Sequence, residues 1–131
     1  MAKFGSNHVV RGRNMTQTFD LGSLLPELAE FEGGSSFAVM VVPGNDSLTA
    51  VLNPSTWTFA PDKPKDGYNR KIEPITQAAF ANDFTLIDLA PLRGVLASRE
   101  KLANPELLKV VYGFDMLLVM SGSTAASEFQ H

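Results

Sequence analysis

The sequence contains no cysteine, which excludes disulfides, thiolate metal sites and cysteine nucleophiles. It has two histidines, His8 and the last residue His131. A two-histidine metal centre within one chain is therefore not expected, and neither is a cofactor. Eleven Lys and Arg are scattered among fourteen Asp and Glu, for a formal net charge of -3. Without a basic patch there is no footprint for nucleic acid and no attraction to an acidic membrane. The first residues lack a basic-then-apolar signal pattern, and the apolar run Met116 to Met120 is far too short to cross a bilayer. A soluble, cytoplasmic protein is expected, with no nucleic-acid or membrane partner.

What is present suits one globular domain over 1–131, since 44% of residues are hydrophobic and 19% charged. Strands and helices alternate along it. Phe37 to Val42 reads as a strand covered on both faces, ended by Pro43-Gly44. Leu48 to Leu52 follows after a short turn, so the two are expected to form an antiparallel hairpin. Phe84 to Leu89 and Phe114 to Met120 are the other strong strands, the last one central. Leu21, Leu24, Leu25 and Leu28 form one apolar helical stripe, with the regular helix expected from Ser23 to Gly33-Gly34. A second helix is expected from Pro74 to Asn82, burying Ile75, Ala78 and Ala79, and a third over Val95 to Ala103. The best-marked helix has Asn104 as cap, Pro105 first and Glu106 in the first turn, and Gly113 stops it. These elements predict an α/β three-layer sandwich, a mixed sheet of about five strands with helices on both faces.

The stretch 53–71 reads as a long irregular loop. Trp57 and Phe59 at its start suit either a ligand clamp or an anchor onto the core. In α/β sheets ligands gather beyond strand ends, which singles out three segments. Near the N-terminus a short strand leads into a polar loop with Asn7, His8, Arg11, Arg13 and Asn14. His8 suits a general base, with an arginine holding an anionic group, or else a histidine bonded to a backbone carbonyl. Asp88, inside an apolar strand, needs a partner; Arg93 is the local candidate, as a structural ion pair or beside a carboxylate presented to substrate. Ser121 to Ser127 offers small residues whose amides suit an anion, but it lacks the lysine of a phosphate-binding loop.

These pieces, in order, resemble the C-terminal portion of erythromycin-esterase-like proteins, within the group that includes Tiki and haem-uptake-type domains. Asn7-His8-Val9 with Gly12 resembles the family's histidine-containing strand exit. The Leu21-Gly22 helix with Phe37 to Val42 resembles the next unit. Leu86 to Leu89 with Pro91-Leu92-Arg93 resembles a late strand, and Gly113 to Leu118 the closing one. The resemblance spans Lys3 to about Ser127. It implies hydrolytic chemistry, a histidine and acidic residues activating water against an ester, with no metal. His8 alone carries over by position. Gly5 stands where the family usually has an earlier histidine, and the family's other catalytic residues lie in an N-terminal half that this span does not match. The expectation is a truncated or split derivative.

Three functions follow as expectations. One is a domain without catalysis of its own, kept for small-molecule binding or interaction. Another is a minimal ester hydrolase using His8 with Asp88 or an acid from a partner subunit, at an oligomer interface. The third is a structural or assembly protein. A polar pocket around His8 separates the first two from the third, and a carboxylate within hydrogen-bond reach of His8 separates the hydrolase from the first. A homodimer is expected, because a shortened domain exposes surfaces that need a cover.

Overall fold

In the computed structural model, residues 4–53, 55–98 and 104–124 are described. Their elements in chain order are α1 (Ser6–Val9), α2 (Leu21–Phe31), β1 (Val39–Pro43), β2 (Thr49–Asn53), β3 (Thr58–Asp62), a 3-10 turn (Pro64–Asp66), α3 (Tyr68–Lys71), α4 (Glu73–Thr76), β4 (Phe84–Asp88), α5 (Ala90–Ala97), α6 (Pro105–Gly113) and β5 (Met116–Met120). The class is α/β. Residue contacts divide the chain into two compact units, Met1–Val41 with Ile87–Leu117, and Val42–Leu86 with Leu118–His131.

The strands form a three-stranded sheet, ordered β1-β5-β4, and a separate pair, β2-β3. Asp115 N donates to Ala38 O and Gly44 N to Met120 O, so β1 and β5 run parallel. Leu89 N donates to Asp115 O and Ser121 N to Asp83 O, so β4 runs against β5. The sheet is mixed, and β5 is its central strand. Strand β1 does not have two covered faces: Met40 and Val42 are buried while Val39 and Val41 are exposed. Its alternation is that of a sheet with one open side.

The expected hairpin between Phe37–Val42 and Leu48–Leu52 does not form. Strand β2 pairs instead with β3 in antiparallel register, from Thr49 opposite Asp62 to Asn53 opposite Thr58. The connection between β2 and β3 is short to close, and β1 takes β5 as its neighbour. The stretch 53–71 is therefore no irregular loop: it carries β3, the 3-10 turn and α3. Pro61 is tolerated because β3 has one neighbour, so its missing N–H faces outward. Trp57 is 78% exposed and is no anchor onto the core.

Helix α6 starts as the sequence indicates, with Asn104 Oδ1 accepting from Glu106 N at 2.8 Å. It buries Leu107, Val110 and Val111, and with Val10, Leu89, Phe114 and Leu117 they make the core of the first unit. In the second unit Val42, Ile72, Ile75 and Val119 are buried. The helix expected over 74–82 shrinks to α4, with Ala78 exposed. Beyond it the Phe80 amide turns to the Thr85 hydroxyl, and Asn82 takes a left-handed φ of 54°. The helix expected over 95–103 is α5, starting earlier at Ala90 with Pro91 in its first turn; residues 99–103 lie outside the described residues.

Helix α2 begins at Leu21 rather than Ser23, capped by Asp20. It is also turned over relative to its leucine stripe. Gly22 is its buried residue, and a Cβ there would collide with the backbone of Val9 and Val10. Leu24, Leu25 and Leu28 point outward and are exposed.

Candidate functional site

The N-terminal segment is a helical turn, not a strand end. Ser6–Val9 form α1, which puts Asn7 and His8 on an exposed surface. His8 Nδ1 lies 2.8 Å from Asp20 Oδ2. A carboxylate only accepts, so Nδ1 carries the proton and Nε2 is the basic nitrogen of the neutral ring. Asp20 also accepts from Leu21 N at 2.8 Å. That amide, and then the His8 ring, hold the Asp20 carboxyl below its ordinary range. The carboxylate within reach of His8 is thus Asp20, and the expected Asp88 lies elsewhere. The pair is open to solvent, with the His8 side chain 59% exposed.

Arg11 does not face this pair. Its Nη1 and Nη2 donate to Asp115 Oδ1 and Oδ2 at 2.7 Å each. Asp115 also accepts from Ala38 N at 2.8 Å. The Arg11 guanidinium is the largest cause holding the Asp115 carboxyl below its usual value, against the opposing effect of burial. Arg93 joins from the other side, its Nη2 3.6 Å from Asp115 Oδ1. Its main role is to close α6: Nε donates to Val111 O at 3.0 Å and Nη2 to Phe114 O at 2.7 Å, a cation at the negative end of a helix. Arg13 sits over the Phe19 ring, 5.5 Å from its centroid.

Asp88 is not the partner of Arg93. It lies on the exposed face of β4, where it stays solvated and needs no buried ion pair, and Oδ1 accepts from Ala90 N at 2.9 Å, at the start of α5. The expected Asp88–Arg93 pair is replaced by Arg93–Asp115.

The third segment is self-satisfied. Asp46 Oδ1 accepts from Gly122 N at 2.9 Å and Oδ2 from Asn82 N at 3.2 Å. The Gly122 amide is the main reason that the Asp46 carboxyl sits below its ordinary range. Ser123 N is bound by Ser47 Oγ. The amides after β5 that suit an anion therefore already hold one from this chain. A Cβ at Gly122, whose φ is 72°, would come within 2.5 Å of Asn82 Oδ1. Residues 125–127 of this segment lie outside the described residues.

Two functional-looking acids, Asp20 and Asp115, escape a sequence reading centred on Asp88. Each had a signal. Asp20 precedes the apolar period of α2, where a cap belongs, and Asp115 is the one acid at the entry of a buried strand. Among the described residues no group of three His, Asp or Glu is placed to hold a metal ion, and no helix is long and apolar enough to cross a membrane. No protein-family model, curated protein or solved structure matches the chain.

Proposed function

We propose that the chain is a small α/β interaction or small-molecule-binding module without catalysis of its own, of the kind that its erythromycin-esterase-like resemblance suggests. The observation that carries this reading is the engagement of Arg11 by Asp115. The cation best suited to hold an anionic substrate group beside His8 is committed to the fold, as are Arg93 and Asp88. A base as exposed as His8 gains little rate advantage from positioning or from a water-excluded site. A panel of short-chain esters and lactones tests it: no turnover above that of the His8→Ala protein is expected, and turnover abolished by that substitution overturns it.

The His8–Asp20 hydrogen bond favours a second reading, a minimal ester hydrolase. Here Asp20 orients the ring, Nε2 takes a proton from water, and a second copy supplies the wall and the oxyanion donors at a homodimer interface. Activity per chain then rises with protein concentration through the dimerisation range.

A further inference from the structure

We propose that the outward face of α2 docks a basic amphipathic helix of a partner protein. The helix meets its own unit through small residues, since Gly22 is buried and Pro26 and Ala29 are half-buried. On the opposite side Leu24 is 51% exposed, Leu25 40%, Leu28 48% and Phe31 89%. Their spacing places all four in one stripe. Together they leave roughly 400 Å² of apolar surface, comparable with the largest patch on an ordinary monomer, which is often functional.

The charge around the stripe selects the occupant. Between Asp20 and Ser36 the sequence has Asp20, Glu27, Glu30 and Glu32 and no Lys, Arg or His. The three glutamates lie in the C-terminal half of α2 and just beyond it, with no basic residue in the last turn. That is the wrong end for anions, because the helix dipole is negative there. Acids placed against the local preference, around exposed leucines, call for cations from outside. A second copy of this face brings glutamates against glutamates, a like-charge contact that disfavours self-pairing. An acidic lipid surface is repelled for the same reason. A helix with its own apolar stripe at i, i+3, i+4 and i+7, flanked by Lys or Arg, satisfies both the leucines and the acids. The inference goes beyond the proposed function and does not depend on whether His8 acts.

The test uses two peptides of about 18 residues, long enough to become helical on docking. Both carry leucines at i, i+3, i+4 and i+7; one has lysines elsewhere and the other glutamates. Each is titrated into the purified chain by calorimetry. The lysine peptide is expected to bind the unsubstituted protein, and the glutamate peptide not to. Binding should weaken at least about ten-fold in Leu28→Ser, which removes an anchor, and in the Glu27→Gln/Glu30→Gln double variant, and it should fall with added salt. All three side chains are exposed, so both variants should keep the thermal midpoint of the parent. No binding by the lysine peptide, or equal binding to parent and Leu28→Ser, overturns the proposal. So does a dimer in light scattering that Leu28→Ser converts to monomer, which puts a second copy on this face.

Discussion

Arg11 grips Asp115 with both arms of its guanidinium, across 104 positions of sequence. The pair ties the segment after α1 to the entry of β5, and Asp115 extends the tie to Ala38, just ahead of β1. Both side chains are half-buried, at 27% and 21% exposure. A bidentate charge-assisted pair in such a place is worth more than a surface salt bridge. Removing one partner leaves the other charge poorly solvated. Arg11→Ala and Asp115→Ala should each destabilise the protein by about 1–3 kcal/mol in urea unfolding. In a double-mutant cycle the two losses should be clearly less than additive.

The same pair sets an acid limit. The folded-state pKa of Asp115 is depressed, chiefly by Arg11. Its stabilising effect is therefore fully present above the unfolded carboxylate value of about 3.9 and disappears as pH falls through the lower folded value. Asp20 and Asp46 shift in the same direction. Unfolding free energy should thus drop with acidification below about pH 4–5, and Asp115→Asn should flatten the drop. An unchanged slope in that variant contradicts the assignment.

Asp88 and Arg93 should behave as independent residues. Asp88 is exposed and satisfies one amide at the start of α5, so Asp88→Ala should cost about 0.5–1 kcal/mol, in the range of a helix-terminal cap. Arg93→Ala removes two carbonyl partners at the end of α6 as well as the Asp115 contact, and should cost more. Their double variant should be additive within about 0.5 kcal/mol.

Gly22 supplies a sign test. Ala in place of Gly inside an exposed helix normally stabilises by about 0.5–1 kcal/mol. Here the added Cβ meets the Val9 and Val10 backbone, which cannot yield as a side chain tip does. Gly22→Ala should lower the melting temperature and move α1 away from α2. Because His8 is on α1 and Asp20 caps α2, the His8 ring resonances should shift as well.

Some of this was legible in the residues. The Asn104-Pro105-Glu106 start of α6 and the central place of β5 both rest on local chemistry, a cap and an unbroken apolar run. The orientation of α2 was not legible, because a leucine stripe marks an apolar face without saying whether this chain covers it. Small Gly22 made the closer packing, which periodicity of large residues does not register. Asp88 misled for a related reason: Phe84 and Leu86 share its face of β4, and that face is exposed. Partners distant in sequence, Arg11 with Asp115 and His8 with Asp20, follow from topology, which spacing does not reveal.

The proposed lack of catalysis in the isolated chain is tested most directly by initial rates on a panel of short-chain esters and lactones over a range of protein concentrations, with parent, His8→Ala and Asp20→Asn compared. The expected result is the uncatalysed rate of the buffer, the same with all three proteins and at every protein concentration. A parental rate that rises with concentration and disappears in both variants contradicts the proposal and establishes the His8–Asp20 pair as the working base of an assembled hydrolase.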